Sequence, residues 1–314
     1  MDISLMVEGQ NGLTWDLWSN IIRKSEAAGL SGVYRSDHFF IGTQQDSLEP
    51  YLSFTMAALQ TERIRFGPLV TPITFRPPVN VGRMAAQLDQ LSGGRFVMGL
   101  GGGWNESEHV AYGVPFPPVG ERLSRLEESI HVMRALWGPG PAGYQGRYYT
   151  LQDADCLPKP PEGRPTLLIG GGGERRTMRI AAQYADEWNC ISMTPEAYTH
   201  KVEVLQAHCD ALDRDPTTLK RSMMTFGVVG PDPAVAAEGY RQFMRNVRGA
   251  SVDDVVAAAR ERGMIVGSTE EALERLEQLA ELGVGEIMFQ HMNFADDEFI
   301  AYLGEELAPK AAAL

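Results

Sequence analysis

Residues 95–116 read RFVMGLGGGWNESEHVAYGVPF. An apolar run, Phe96–Leu100, leads into glycines at 99, 101, 102 and 103, and these are followed by Trp104, Asn105 and Glu106. Glycines at the carboxyl end of a strand let main-chain amides approach a ligand, and polar residues just beyond can line its pocket. The same cluster also suits a tight strand-to-helix turn. It is not the G-x-G-x-x-G dinucleotide fingerprint, because Trp104 stands where the third glycine belongs.

Outward from this stretch the chain alternates. Short apolar runs at 3–7, 32–36, 64–70, 96–100, 166–169, 187–191, 223–229 and 286–290 read as strands. Between and after them, segments 15–28, 50–60, 78–91, 120–136, 174–184, 195–212, 269–282 and 296–307 have helical spacing, with Thr14 and the Ser268-Thr269-Glu270-Glu271 run as N-caps. Alternation of this kind means parallel βαβ units. Two stretches break it: the Gly-, Pro- and Tyr-rich 138–165, read as an excursion with a short hairpin, and 231–267, read as a partly helical insertion. Eight βα units in roughly 250 core residues predict an α/β fold, a TIM (β/α)8 barrel, as one domain over 1–314 with insertions after strands four and seven. A doubly wound open sheet is the alternative, but it usually has fewer strands and a glycine fingerprint after the first, where this chain has Glu8-Gly9-Gln10-Asn11-Gly12.

The chain has 314 residues, 44% apolar and 22% charged, the make-up of an ordinary globular protein. Its net charge of -13 argues against a nucleic-acid or anionic-membrane partner. Cys156, Cys190 and Cys209 form no CxxC pair, so they read as reduced and intracellular. The start, MDISLMVEG, lacks the basic and apolar regions of a leader, and no long apolar run appears. A cytoplasmic location is expected.

In a barrel the informative residues lie just past each strand. After strand two, Asp37 and His38 place a carboxylate beside an imidazole, a pair suited to acid–base work near neutral pH. A histidine satisfied by backbone at the rim is the other reading. Strand three runs into the stiff Thr71-Pro72-Ile73-Thr74-Phe75-Arg76-Pro77-Pro78. Strand five ends in Gly170–Gly173 followed by Glu174, Arg175 and Arg176; free amides, a helix N-terminus and two arginines suit a phosphate. Solvated arginines on a plain turn are the alternative. No G-K-[ST] follows, so a cofactor phosphate fits better than a nucleoside triphosphate. His291 follows strand eight and could reach the same pocket. No metal-ligand spacing and no G-x-S-x-G elbow occurs, so no metal is expected.

SDHFF at 36–40, FGPLVTPITFRPP at 66–78, GRFVMGLGGGWNESEHVAYGVPFPPVGERLSRLEE at 94–128 and LLIGGGGERRTMRIAAQYADEWN at 167–189 together resemble the luciferase-like flavin and deazaflavin oxidoreductases, in their coenzyme F420-dependent branch. The resemblance covers essentially the whole chain and implies a TIM barrel. It implies that His38 sits beside the reactive face of the deazaflavin as acid/base, with Asp37 as its neighbour and a cofactor contact. Leu69, Val70 and Thr71 match a bulge behind the ring, where a non-proline cis peptide is common. Gly101, Gly102 and Asn105 would pass along the ring edge, and Gly171, Gly172, Gly173, Arg175 and Arg176 would bind the phosphate. Glu106 is carried over as a second catalytic group, and Trp104 and His291 as substrate-side groups. The family's sugar-phosphate dehydrogenases carry a tryptophan soon after the histidine and a glutamate soon after the strand-four glycines. Here Ile41 and Gly42 occupy the first region and Trp104 precedes Glu106 in the second, which points away from glucose 6-phosphate.

The expected activity is F420-dependent hydride transfer to or from a small organic substrate. An FMN-dependent monooxygenase and a non-catalytic flavin-binding barrel are the rivals. A homodimer is expected from the resemblance.

Overall fold

A computed structural model describes residues 1–42, 47–232, 234 and 249–314. Its strands are β1 (Asp2–Val7), β2 (Gly32–Arg35), β3 (Arg65–Pro68), β4 (Thr71–Pro72), β5 (Val97–Gly101), β6 (Ala142–Gln145), β7 (Thr150–Ala154), β8 (Thr166–Gly170), β9 (Glu187–Ile191), β10 (Lys220–Thr225), β11 (Gly227–Val229), β12 (Ile265–Gly267) and β13 (Glu286–His291). Nine of them form one parallel sheet in the order β3-β2-β1-β13-β10-β9-β8-β5-β4. β3 pairs with β2 and β4 pairs with β5, so these two short strands are successive halves of one stave, and a bridge from Phe66 to Phe96 closes the ring. The result is the eight-staved TIM barrel expected from the alternation.

Helices α1 (Trp15–Ala27), α2 (Pro50–Gln60), α3 (Pro78–Ser92), α5 (Val119–Trp137), α6 (Thr177–Tyr184) and α7 (Pro195–Asp210) surround it, and a short α4 (Glu106–Tyr112) follows β5. Local chemistry sets their ends. Thr14, Glu49 and Thr194 accept hydrogen bonds from first-turn amides, Ser268 and Glu271 form a capping box on the helix Thr269–Glu281, and Gly93 ends α3 at φ 68°. Among the described residues, no helix is long and apolar enough to cross a membrane.

The side-chain period of two separates two cores. Outward-facing Leu5, Val33, Met98, Ile169 and Phe289 pack under the helices, while Met6, Tyr34, Leu69, Val97, Leu168 and Met288 fill the barrel interior.

Three details differ from the sequence reading. The third strand breaks at Leu69–Val70, whose peptide is cis, so it is two strands and not one run from 64 to 70. The seventh breaks at Phe226: β10 stays in the barrel, while β11 leaves to pair with β12. Gly227 lies where a Cβ would run into the Phe289 ring, and its missing side chain lets the strand turn out there. The helix after β8 starts at Thr177, not at 174. Between α5 and β8 lies the antiparallel hairpin β6–β7. Of the stretch 231–267, the helix Val252–Glu261 and β12 are described, while 233 and 235–248 lie outside the described residues.

Candidate active site

At the carboxyl ends of the staves lies a cavity of about 710 Å³, within the size range of small-molecule sites. Every stave contributes to its lining, among them Met6 and Glu8, Ser36 and His38, Leu69 and Val70, Gly101 to Trp104, Gly170 to Gly173, Asn189, Met224 and Gln290.

His38 Nδ1 lies 2.8 Å from Glu108 Oε2. Glu108, on α4, is fully buried, and its Oε1 also accepts from the amides of Phe39 at 2.5 Å and Phe40 at 3.1 Å. A carboxylate only accepts, so Nδ1 carries the hydrogen and Nε2 is left for a substrate. The Trp104 ring meets the imidazole edge-on at 5.4 Å. Burial works against a charged His38, but the hydrogen bond and charge of Glu108, with Glu8 and Asp37 adding to them, outweigh it and raise the pKa above 6.5. A buried glutamate that fixes an imidazole's tautomer and favours its protonated form makes a proton-transfer pair.

Asp37 faces the other way. It is buried, it accepts from Thr71 Oγ1 at 2.8 Å, and Arg76 holds it bidentately at 2.6 and 3.0 Å. Tyr51 OH extends the network to Thr71 at 2.9 Å. Burial raises the Asp37 pKa against the pull of Arg76. This network fixes the strand-two end to the loop after β4, so its neighbour His38 is aimed inward.

The glycines of β5 and β8 serve the protein's own packing. A Cβ at Gly101 would stand 2.6 Å from Val70 Cγ2, and one at Gly170 would stand 2.8 Å from Val70 Cγ1. Their absence lets the Leu69–Val70 step lie across the barrel as an apolar floor. Arg122 of α5 then ties the next turn down, donating to the carbonyls of Gly102 at 3.0 Å and Pro117 at 2.6 Å. Beyond Gly170 the loop is exposed. Among the described residues, the amides of Gly172 and Gly173 donate to no protein acceptor. The lining Thr177 side chain adjoins them at the start of α6.

Of the residues singled out in the sequence, the structure brings His38, Leu69, Val70, Gly101, Gly102, Trp104, Gly171, Gly172 and Gly173 to one cavity. It does not bring the others to the lining. Asp37 and Thr71 are bound to each other behind the wall. Asn105 is buried and donates to the Phe40 carbonyl. Glu106 is exposed on the outer face of α4, and it is Glu108, two residues on, that turns inward. Arg175 is exposed, and Arg176 is committed to Gly120 O, Ser124 Oγ and Glu127. His291 is buried among Phe294 and Phe299, because strand alternation sends Gln290 into the cavity and His291 away from it.

Sequence reasoning missed Glu108 and Glu8. Glu108 stands 70 residues from His38, and no spacing links them. Glu8 occupies the strand-one end, and the rule applied to later strands would have found it. Its Oε1 accepts from Gln290 at 2.5 Å and its Oε2 from Gln10 at 2.9 Å.

Residues 6–286 match the family described as luciferase-like monooxygenase. The chain is 25% identical over 311 residues to an F420-dependent glucose-6-phosphate dehydrogenase of Amycolatopsis mediterranei (strain U-32), covering 93% of each. It is 28% identical to the protein of that name from Microbacterium testaceum (strain StLB037), covering 91% of this chain and 90% of that one. Among solved structures, an F420-dependent secondary alcohol dehydrogenase in complex with an F420-acetone adduct superposes with a TM-score of 0.82 at 20% identity, covering 99% of this chain and 98% of that one. With the barrel, the site at its carboxyl end and the family match over most of its length, the chain belongs to the luciferase-like monooxygenase family.

Proposed function

We propose that this protein is an F420-dependent oxidoreductase, one barrel domain that moves a hydride between the deazaflavin C5 and a small organic substrate. The observation that carries the reading is the His38–Glu108 pair, presented to a cavity whose far side has free glycine amides. The cavity fits the cofactor by its apolar Leu69–Val70 floor and by the free Gly172 and Gly173 amides with Thr177, donors of the kind a phosphate needs. When bound, coenzyme F420 supplies the hydride acceptor or donor.

The chain's own residues do the rest. Leu69 and Val70 would press on the ring, Gly101 and Gly102 would pass its edge, and the glycine loop would hold the phosphate. Arg175, exposed on that loop, is the cation assigned to the anionic tail. His38 Nε2 takes the substrate's hydroxyl proton in oxidation and returns it in reduction. Glu108 holds the imidazole in place and favours the imidazolium as it forms. Ile41, Trp104 and Ile191 shield the reacting carbon from water.

We further read the protein as a cytoplasmic homodimer without a nucleic-acid or membrane partner. The charge of -13 and the exposed Leu52 and Leu59 on α2 support this. Sedimentation of the purified protein tests the dimer.

Titration of apo-protein with F420 and with FMN, followed by cofactor fluorescence, tests the cofactor. Tight F420 and weak FMN binding is expected. The reverse result would overturn the assignment and make oxygen consumption with reduced FMN the next assay.

A further inference from the structure

Beside its apolar Leu69–Val70 floor the cavity has a polar wall, and its mouth is apolar. The wall presents His38, Ser36 and the Glu8 carboxylate, with Glu8 locked in place by Gln290 and Gln10, and Ser36 Oγ 2.6 Å from Gln10 Oε1. The mouth is lined by Ile41, Trp104, Val119 and Ile191. These four come from different segments around the barrel, yet all are large apolar side chains left between 40% and 67% exposed. Four such side chains around one opening mark a surface that a ligand covers.

The charge pattern points the same way. Among the described residues that line the cavity there is no lysine or arginine. Of the cations near the glycine loop, Arg176 is engaged with α5, Lys201 Nζ is engaged with Gly172 O at 3.0 Å and with Glu174, and the exposed Arg175 is not among the lining residues. A phosphate placed beside His38 would face Glu8 and would lack the charge-assisted donors that make burying a dianion tolerable.

We infer that the substrate turned over beside His38 is uncharged and apolar, a small alcohol–carbonyl pair with a hydrocarbon body, and not a sugar phosphate. This rests on the function proposed above. In oxidation the carbinol C–H is given up as a hydride to the deazaflavin, the hydroxyl proton passes to His38 Nε2, and the carbon–oxygen bond becomes a carbonyl. The hydrocarbon body lies against Trp104, Ile41 and Ile191.

The test uses the protein loaded with F420, a series of 2-alkanones and their 2-alcohols of increasing length, and glucose 6-phosphate. Binding is read from the change in cofactor fluorescence, and turnover from kcat/KM. Affinity and kcat/KM should both rise roughly fourfold per added methylene until the mouth is filled. Inorganic phosphate should compete with neither, and Trp104→Ala should flatten the length dependence. Tighter binding of glucose 6-phosphate than of any ketone, or no dependence on chain length, or no binding of neutral ligands to the loaded protein, would overturn the inference while leaving the cofactor assignment standing. Failure of F420 itself to bind would remove the proposed function, and this inference with it.

Discussion

The two ends of this barrel use the same residue types to opposite effect. At the amino-terminal end, Glu187 and Glu286 are buried with Arg65, Lys220 and Ser4. Arg65 reaches both carboxylates at 3.2 and 3.3 Å, and Lys220 reaches Glu286 at 2.7 Å. At the carboxyl end, Glu108 and Glu8 are also buried, but their partners are an imidazole and amides, and of these groups His38, Glu8 and Gln290 face a cavity of about 710 Å³. A carboxylate matched by fixed cations is a plug. One matched by a group that can gain and lose a proton, with room for a ligand beside it, is a site.

The largest effect should come from His38→Ala in the protein loaded with F420. Losing the proton-transfer group should lower kcat/KM by roughly 10²–10⁴-fold. The unfolding midpoint in denaturant and the F420 affinity should hardly move. Unchanged turnover would remove the role assigned to His38 and with it the contrast between the ends, whereas no turnover even in the wild type against a broad substrate panel would favour a non-catalytic barrel.

Arg65→Ala should do the reverse. Burial, and then Glu286, already hold the Glu187 pKa above its ordinary value against the pull of Arg65. Removing the arginine leaves buried charge without its partner, which costs roughly 3 kcal/mol, the low end for such losses because the Arg65 side chain is itself 29% exposed. Urea unfolding measures this, and kcat/KM at 25 °C should stay near the wild-type value. A loss of activity without a loss of stability would break the assignment of this end as structural.

His291 gives a smaller and pH-limited effect. Burial, opposed by Asp296 and Asp297, pushes its pKa down to about 4. The folded protein holds it neutral while the unfolded chain binds a proton below about 6.5. Stability is therefore present above pH 6.5 and falls as pH drops toward 4, by up to about 1.4 kcal/mol per pH unit from this group. His291→Phe should flatten that part of the stability profile and leave turnover intact. A large loss of turnover would return His291 to the substrate side, where the sequence reading had put it.

That misplacement shows what the sequence holds and what it lacks. Periodicity carried the fold, because eight apolar runs alternating with capped helices leave little besides a parallel barrel. It also carried the rule that places His38, Trp104 and the Gly170–Gly173 loop at the strand ends. The finer choice between Gln290 and His291, or between Glu106 and Glu108, turns on which way a single residue faces. A shift of one residue inverts the facing in a strand, and composition does not register it. The β5 and β8 glycines mislead in a similar way. They read as space for a ligand, and at Gly101 and Gly170 the space is taken by Val70.

The most direct test is the pH dependence of kcat/KM for alcohol oxidation in the loaded wild-type protein and in Glu108→Gln. Oxidation needs neutral His38, and a raised pKa keeps the proton on to higher pH. The wild-type rate should therefore fall as pH drops through an inflection above 6.5. In Glu108→Gln the strongest opposition to burial is gone, so the inflection should move to lower pH and the plateau rate should drop. An inflection that stays where it was would contradict the account, because the buried glutamate would then not be what tunes the histidine.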